Sequence, residues 1–328
     1  MNVLIYGAVS ELGRRVLLAE LVPPDFCVEF THEGDPDRVE KLGRCEVVLV
    51  DQAPLDEQAF SHLRRLRLVQ RIGRGPYDVS NEVATAHRHG IPWAHNRAGF
   101  AVAATAEHTV MVILALLRQL PQTAEFVRSG GWLSSHRFDA ATRQLRGSTV
   151  ALVGMGRVGT SVARLLDTFG AVVHYWSRTR LDGARERRLA VKFLPLDDLL
   201  ATADVVSLHV RANSAAEFRF DDRLFGLMRS DAIFVNTARG PLVDELALAG
   251  ALSSGHLAGA ALDVFEIEPL PPGSPLVTAP NLLMTPHIAG RTVEVAEMYF
   301  RTACANLIRL RGNQPLRDLV APPIQETV

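Results

Sequence analysis

Cysteine, net charge and long apolar runs are all scarce in this 328-residue sequence. Cys27, Cys45 and Cys304 lie far apart and form no CxxC pair, which argues against a disulfide framework and a cysteine-based zinc site. The longest apolar run, 110–117, ends at Arg118 and is too short to cross a bilayer. The formal net charge of -1 gives no field that would attract nucleic acid or a membrane surface.

The first residues carry no targeting pattern. No basic leader precedes the apolar residues 3–6, and that run is too short for a signal peptide, so the expected location is the cytoplasm. The sequence does have 48% apolar residues and enough length to bury the cores of two domains. This composition fits a cytoplasmic enzyme or binding protein, with no nucleic-acid, membrane or metal partner indicated.

Short β-branched, apolar runs alternate with amphipathic segments along most of the chain. The expected strands are 3–6, 47–50, 149–153, 172–175, 205–209, 233–236, 259–263 and 282–285. Amphipathic stretches such as 159–169 and 244–254 lie between them. Because such alternation is typical of parallel sheets covered on both faces, the predicted fold class is α/β.

Two long helices are expected to interrupt or follow this alternation. Residues 101–120 are apolar on nearly all sides and stop at Pro121, and residues 293–311 are amphipathic. An apolar helix of this kind is usually buried between other elements, so 101–120 is expected to join two domains. Residues 130–147 have weak periodicity and are interpreted as an arm or extended loop.

The clearest motif is a predicted strand that runs into Gly154-Met155-Gly156-Arg157-Val158-Gly159 and then a helix. In a dinucleotide-binding turn, these glycines permit the tight turn, the approach of a pyrophosphate and close helix–strand packing. The phosphates then meet the helix N-terminus. The alternative is a tight turn with packing glycines. A second cluster, Gly7 and Gly13, has Val9 in place of a middle glycine and indicates a strand-to-helix turn in another α/β domain.

The end of the next strand bears on the choice of cofactor. An NAD site usually has Asp or Glu here to bind the ribose 2′-hydroxyl. This chain instead has Ser177, Arg178, Thr179 and Arg180. A hydroxyl and a guanidinium suit a 2′-phosphate, so NADP(H) is predicted to be preferred over NAD(H). The alternative is that the arginines are solvated loop charges.

Three ionisable residues follow the ends of predicted strands, where open α/β sheets bind ligands: Arg239, Glu268 and His287. The planar guanidinium of Arg239 matches a carboxylate. His287 can give and recover a proton near neutral pH, and a neighbouring Glu268 would favour its imidazolium form. Taken singly, each also fits a purely structural interpretation as a turn charge, a loop acid or a loop histidine.

With these residues the chain resembles the D-isomer-specific 2-hydroxyacid dehydrogenases, a family that includes glyoxylate/hydroxypyruvate reductases, phosphoglycerate dehydrogenases and formate dehydrogenases. The resemblance runs from Arg71-Ile72-Gly73 to about Arg291. It includes Ala106-Glu107-His108, the glycine turn, residues 236–240 and 262–269, and Thr285-Pro286-His287-Ile288-Ala289-Gly290. The order and spacing of these motifs are far more specific than a glycine turn alone.

The resemblance implies an NAD(P)-dependent oxidoreductase that reduces a small 2-oxo acid to the D-2-hydroxy acid. Arg239 would bind and polarise the substrate, His287 would be the acid/base, and Glu268 would pair with it. Asp263 would lie near the nicotinamide carboxamide. The residues expected at the cofactor are Thr105, Gly154, Met155, Gly156, Arg157, Val158, Gly159, Ser177, Arg178, Thr179, His209, Thr237, Ala238, Asp263 and Gly290. Those expected at the substrate are Arg74, Gly75 and Arg239.

The family's topology implies a Rossmann cofactor domain, 98–290, inserted into a flavodoxin-like substrate domain, 1–97 plus 291–328. A cleft between hinged domains and a homodimer through the cofactor domain would follow. Whether the 121–147 arm reaches the site of a partner subunit stays open.

Two loops depart from the family pattern. Arg74-Gly75-Pro76-Tyr77-Asp78 stands where relatives have a glycine-rich loop whose amides hold the substrate carboxylate. Pro76 has no N–H to donate, and Arg74 adds a charge, so the identity of the 2-oxo acid stays open. After His209, Val210-Arg211-Ala212-Asn213-Ser214 replaces a Pro-Leu-Thr stretch. Arg211 is a candidate ligand of the cofactor phosphate, and the alternative is a loop that holds the cofactor more loosely.

Two other functions would use the same motifs. A nicotinamide-sensing regulatory protein is one, because the family also contains transcriptional corepressors that can keep the three ionisable residues. A dehydrogenase of phosphite or another acid is the second. Formate oxidisers resemble the chain less, because they place Gln where Glu268 stands.

Overall fold

A computed structural model of the chain describes residues 1–51, 53–73, 79–96, 99–132, 135–210 and 218–321, without the side chains at 135 and 137. The chain divides into two compact units, Met1–Phe100 with Arg291–Val328, and Ala101–Gly290. Each unit is built on a parallel sheet with helices, which confirms the predicted fold class.

The first unit contains a five-stranded parallel sheet. Its strands are β1 (Asn2–Gly7), β2 (Cys27–Thr31), β3 (Val47–Asp51), β4 (Leu68–Arg71) and β5 (Trp93–His95). Its helices are α1 (Glu11–Glu20), α2 (Arg38–Arg44), α3 (Glu57–His62), α4 (Ser80–Arg88) and α12 (Val293–Arg311). The strand order, β2-β1-β3-β4-β5, is that of flavodoxin-like doubly wound sheets.

Helix α12 and the segment after it complete this first unit. Helix α12 packs on α1 and β4, and its Phe300, Cys304 and Leu307 are buried in the same core as β1. The following segment runs antiparallel to β5, with Leu319 bridged to Ala94. The C-terminal segment therefore covers the edge of the sheet that β5 would otherwise expose.

Packing accounts for the two glycines near the first residues. Gly7 has φ +110°, and a Cβ there would overlap the carbonyl oxygen of Asp51. A Cβ on Gly13 would overlap the ring of Phe300. The structure thus places a strand-to-helix turn here, between β1 and α1, in which both glycines are required by their neighbours.

The second unit contains a seven-stranded parallel sheet. Its strands are β6 (Thr149–Val153), β7 (Val172–Trp176), β8 (Val191–Phe193), β9 (Val205–Leu208), β10 (Ile233–Asn236), β11 (Gly259–Leu262) and β12 (Leu282–Met284). Its helices are α5 (Val102–Leu117), α6 (Leu120–Arg128), α7 (Arg157–Thr168), α8 (Gly183–Leu189), α9 (Leu196–Thr202), α10 (Asp222–Leu227) and α11 (Glu245–Ser253). The order β12-β11-β10-β9-β6-β7-β8 reverses direction between β6 and β9, as in Rossmann folds.

The predicted helix 101–120 is two helices in the structure. Helix α5 ends at Leu117, and Gln119 adopts φ +47° before α6 begins. Pro121 lies in the first turn of α6, so it starts a helix and does not end one. No single described helix is long and apolar enough to cross a membrane. Together α5 and α6 meet those criteria, but they bend by 59° at the break, and much of α5 is buried in the core.

Candidate active site

The three glycines of the turn after β6 have different surroundings. Gly154 has φ +107°, and a Cβ there would lie 2.7 Å from the backbone carbonyl of His209. A Cβ on Gly159 would overlap the carbonyl oxygen of Gly154. Gly156, the N-cap of α7, has no atom within 4 Å of its Cβ position. Packing explains the first and third glycines, whereas the open space at the second and the amides starting α7 fit a pyrophosphate.

A hydrogen-bonded clamp lies close to the end of β7. Nε and Nη2 of Arg180 lie 2.8 and 3.0 Å from the two carboxylate oxygens of Glu186. The Tyr175 hydroxyl donates to the same carboxylate at 2.7 Å. Arg180 and Tyr175 together lower the pKa of Glu186 to about 2, so this carboxylate is ionised at neutral pH. Arg180, which the sequence suggests as a phosphate ligand, is therefore held toward α8.

Ser177, Arg178 and Thr179 follow β7 directly. The Ser177 hydroxyl donates to the Thr179 carbonyl at 2.5 Å, which closes a short turn. The side chains of Arg178 and Thr179 are exposed. None of the three is a carboxylate, so this segment lacks the acidic side chain that binds the ribose 2′-hydroxyl in most NAD sites.

His209 follows β9 and packs against the glycine turn. Its Cβ lies 3.4 Å from the Cβ position of Gly159, and its Nε2 lies 3.0 Å from the Ser207 hydroxyl. Burial lowers the pKa of His209 to about 4. The imidazole is therefore neutral near pH 7 and adds no positive charge at the turn where phosphates would bind.

Helix α5 brings threonines to the carboxyl end of β10. The Thr109 hydroxyl donates to the Thr105 carbonyl at 2.8 Å and lies 2.9 Å from the Thr237 hydroxyl. Because the one proton of Thr109 is already donated, Thr237 is the donor between these two hydroxyls. The Thr105 hydroxyl lies 3.4 Å from the Cβ position of Gly290. Three of the residues predicted at the cofactor thus lie close together.

Arg239 lies on a turn that the side chain of Asn236 holds through two hydrogen bonds. Asn236 is fully buried at the end of β10; its Nδ2 donates to the Arg239 carbonyl, and its Oδ1 accepts from the Ala238 N–H, both at 2.9 Å. The Arg239 side chain is exposed, with Nη1 2.6 Å from the Ala238 carbonyl. The turn therefore presents a guanidinium at the carboxyl edge of the sheet.

The turn with Arg239 and the loop with Glu268 meet at a glycine. A Cβ on Gly240 would overlap the backbone of Phe265. Glu268 Oε1 accepts the Phe265 N–H at 3.0 Å, and Glu268 Oε2 lies 2.7 Å from His287 Nδ1. The backbone N–H fixes the carboxylate so that its second oxygen meets the ring. Nδ1 is thereby engaged, and Nε2 of His287 is left to exchange a proton.

Asp263 follows β11 and holds the turn that carries His287. Its carboxylate is 2% exposed and accepts the Thr285 hydroxyl at 2.6 Å and the N–H groups of Ile288 and Ala289 at 2.8 Å. His287 has φ +53°, a left-handed conformation that non-glycine residues adopt when the surroundings impose it. The family resemblance implies that Asp263 lies near the nicotinamide carboxamide. In the structure, three donors of this turn occupy its carboxylate.

Two residues with contacts in the candidate site, His108 and Glu186, are not among the predicted site residues. His108, on α5, has its Nε2 3.2 Å from the Thr285 hydroxyl. Its signal is present in the sequence, since Ala106-Glu107-His108 is one of the motifs that carry the resemblance. Glu186 has no such signal, because its partner Arg180 is brought to it by the path of the chain between β7 and α8.

The other predicted residues of the glycine turn have different degrees of burial. Met155 is buried in the core, Val158 is half-buried, and Arg157 is exposed at the first position of α7. The predicted residues that lie outside the described part of the chain are Arg74, Gly75, Pro76 and Arg211.

Comparison with known proteins identifies the family. A sequence profile described as the D-isomer specific 2-hydroxyacid dehydrogenase, NAD binding domain, matches residues 110–289. The chain belongs to the D-isomer specific 2-hydroxyacid dehydrogenases. The predicted family, the oxidoreductase class and the use of a nicotinamide cofactor are thus confirmed, and the matched residues include the glycine turn, Arg239, Glu268 and His287.

Individual relatives match most of this dehydrogenase. It is 34% identical over 284 residues to the glyoxylate reductase of Korarchaeum cryptofilum, which covers 86% of this chain and 84% of the relative. A crystal structure of a Thermus thermophilus protein has a TM-score of 0.80 and 31% identity, covering 98% of this chain and 100% of that one. The NADPH-dependent glyoxylate/hydroxypyruvate reductase of Sinorhizobium meliloti, solved with citrate, has a TM-score of 0.79 and 26% identity, covering 98% of each chain.

Proposed function

We propose that this dehydrogenase reduces a small 2-oxo acid of the glyoxylate or hydroxypyruvate type to the D-2-hydroxy acid, with NADPH as the preferred reductant. The observation that carries the proposal is the contact of 2.7 Å between His287 Nδ1 and Glu268, beside the turn that presents Arg239. The names of the relatives from Korarchaeum cryptofilum and Sinorhizobium meliloti support the substrate class.

The residues of this chain handle charge and proton transfer in the proposed reaction. A bound reduced nicotinamide supplies the hydride. Arg239 binds the substrate carboxylate and polarises the neighbouring carbonyl with charge-assisted hydrogen bonds. His287 donates a proton from Nε2 to the carbonyl oxygen as negative charge develops there, and Glu268 orients the ring through its contact with Nδ1.

The preference for NADPH rests on the segment after β7. A dianionic 2′-phosphate needs cationic or hydroxyl ligands, and Ser177 and Arg178 provide both types with no competing carboxylate among them. Glu186 accepts hydrogen bonds from Arg180 and Tyr175, which holds Arg180 toward α8. Arg178, which directly follows Ser177, is therefore the proposed ligand of the 2′-phosphate.

The test is a matrix of two cofactors and four acids, followed by the absorbance of the reduced nicotinamide. We expect NADPH to be oxidised with glyoxylate or hydroxypyruvate much faster than with pyruvate or a bulkier 2-oxo acid. NADH is expected to give a lower kcat/KM, because it leaves the proposed phosphate ligands unused. If none of the four acids supports oxidation of either cofactor although cofactor binding is measurable, the proposed substrate class is contradicted. That result would favour the nicotinamide sensor or the dehydrogenase of another acid.

A pair of arginine variants checks the cofactor part of this result. Arg178→Ala is expected to raise the Kd of NADPH at least about tenfold, in keeping with the roughly 1.5–3 kcal/mol of a hydrogen bond to a charged group. The Kd of NADH should stay nearly constant. Arg180→Ala is the matched control and should change the NADPH affinity less, because Arg180 is paired with Glu186. Equal losses for both cofactors in Arg178→Ala would refute the assignment of the 2′-phosphate.

We also propose that the enzyme is a cytoplasmic homodimer that associates through the second unit. Helix α6 has no buried residue, and its Leu120 and Val127 are exposed. Trp132, just after it, is 73% exposed. Apolar side chains exposed together are typical of a surface that a second copy covers. Sedimentation should give twice the chain mass of 35.9 kDa, and the monomer mass at all concentrations would exclude the dimer.

A further inference from the structure

The turn that holds His287 depends on the buried carboxylate of Asp263. Asp263 is 2% exposed, and no lysine or arginine in the described part of the chain pairs with it. Among the described residues, the nearest basic group is His108, whose Nε2 lies 3.9 Å from Oδ1. A buried carboxylate in such surroundings is stable only if hydrogen bonds satisfy its oxygens. The donors around Asp263 therefore decide how firmly the turn is held.

The hydroxyl of Thr285 links His108 to this carboxylate. Thr285 Oγ1 lies 2.6 Å from Asp263 Oδ1, and a carboxylate can only accept, so the hydroxyl proton points to Asp263. Thr285 Oγ1 then accepts from His108 Nε2, 3.2 Å away. The protonated nitrogen of the neutral ring is therefore Nε2. The result is a directed chain of two hydrogen bonds from α5 to the end of β11.

The burial of His108 keeps its ring neutral, as a hydrogen-bond donor through Nε2 alone requires. Its side chain is 10% exposed. Burial lowers the pKa of His108 and outweighs the opposing effect of Asp263, so the ring is neutral at neutral pH. A neutral ring with its proton on Nε2 donates one hydrogen bond in a fixed direction and adds no charge near His287.

We propose that His108 is a positioning residue for the reaction: its Nε2–H fixes the Thr285 hydroxyl on Asp263 and so holds the left-handed turn that keeps His287 against Glu268. This inference rests on the proposed acid/base role of His287. Without the donor, the Thr285 hydroxyl is free to rotate away from Asp263. The carboxylate then holds the turn through the N–H groups of Ile288 and Ala289 alone.

Replacements at positions 108 and 285 test the chain of hydrogen bonds. His108→Leu and Thr285→Val each remove one link and are expected to lower kcat about fivefold, since a net hydrogen bond contributes about 1 kcal/mol. The Kd of NADPH, measured by fluorescence titration, should not change. His108→Gln places an amide N–H near the position of Nε2 and should keep most of the activity. His108→Asn has the same chemistry but a shorter reach and should resemble His108→Leu.

The double variant separates a linked role from two independent ones. If His108 acts through Thr285, adding His108→Leu to Thr285→Val lowers kcat little further. Two independent contributions would multiply to about 25-fold and would overturn the proposal. A lower melting temperature with unchanged kcat in His108→Leu would overturn it too, because His108 would then only stabilise the fold.

A proton NMR spectrum provides a readout that does not need turnover. The Nδ1 proton that His287 shares with Glu268 over 2.7 Å should resonate far downfield of the amides. We expect this resonance to broaden or disappear in His108→Leu and Thr285→Val and to persist in His108→Gln. An unchanged resonance in all variants would contradict the positioning role. If the wild type reduces no 2-oxo acid but the resonance is lost in His108→Leu and Thr285→Val, the proposed substrate has failed while the positioning of His287 stands.

Discussion

Replacing His287 with alanine lowers kcat by two to four orders of magnitude, the usual contribution of a general acid, while the Kd of NADPH stays within about twofold. The expectation follows from the geometry of the ring. Glu268 engages Nδ1 at 2.7 Å, so Nε2 is the nitrogen that can protonate the substrate. Without the ring, water must supply the proton.

Variants of Glu268 and of a distant histidine test whether the loss of kcat is specific to the pair of His287 and Glu268. Glu268→Gln keeps a group that can accept the Phe265 N–H but removes the carboxylate charge opposite His287 Nδ1, so a smaller loss of kcat is expected. The double variant His287→Ala with Glu268→Gln should cost little more than His287→Ala alone, because the two residues act as a unit. His32→Ala, at an exposed turn of the first unit, should leave kcat unchanged. Near-wild-type turnover of His287→Ala would disprove the assigned role.

Replacing Gly240 with alanine is expected to lower kcat/KM about a hundredfold or more without any change in a charged group. The added Cβ would overlap the backbone of Phe265 and Glu266, which cannot move aside as a flexible side chain would. Either the turn with Arg239 or the loop with Glu268 must shift, and a misplacement of about 1 Å at reacting groups can cost this much. Overpacking of this kind also lowers the free energy of unfolding by about 1–3 kcal/mol.

Gly250→Ala is the matched control for this change. Gly250 is exposed in the middle of α11, and no atom lies within 4 Å of its Cβ position. Alanine should therefore raise the free energy of unfolding by about 0.5–1 kcal/mol and leave kcat/KM unchanged. Denaturant unfolding and circular dichroism establish that both variants fold. Full activity in folded Gly240→Ala would show that the distance between the turn and the loop does not matter.

The strands that the sequence predicts are those in which most side chains are apolar. Residues 149–153 and 233–236 match β6 and β10, because both faces of these strands are covered and most of their positions favour an apolar residue. Four strands, β2, β4, β5 and β8, are not among the predicted ones, and β4 contains Gln70 and Arg71, which are buried. Gln70 accepts from Asn306 at 2.8 Å, and Arg71 pairs with Glu82 at 2.9 Å. A buried strand with polar residues can be recognised only when these distant partners are known.

In the candidate site too, the sequence predicts the positions of the residues along the chain but not their contacts. Arg239, Glu268 and His287 follow strand ends in the sequence, so the rule for parallel sheets places them at one edge. Their actual arrangement depends on backbone contacts, such as the close approach at Gly240 and the three donors on Asp263, which no residue pattern encodes. The sequence predicts that Pro121 ends a helix, but in the structure it lies in the first turn of α6. The fixed φ of proline also suits a helix start, so the local sequence does not distinguish the two positions.

The placement of α12 has a consequence for how the protein is made. Its Phe300, Cys304 and Leu307 complete the core of the first unit, yet about 190 residues of the second unit are translated between that core and this helix. At the usual ribosomal speed this takes roughly 10 to 40 s. The second unit is continuous in the chain and can close its core in that interval. The nascent first unit, in contrast, waits with one apolar face uncovered and needs protection from aggregation until α12 emerges.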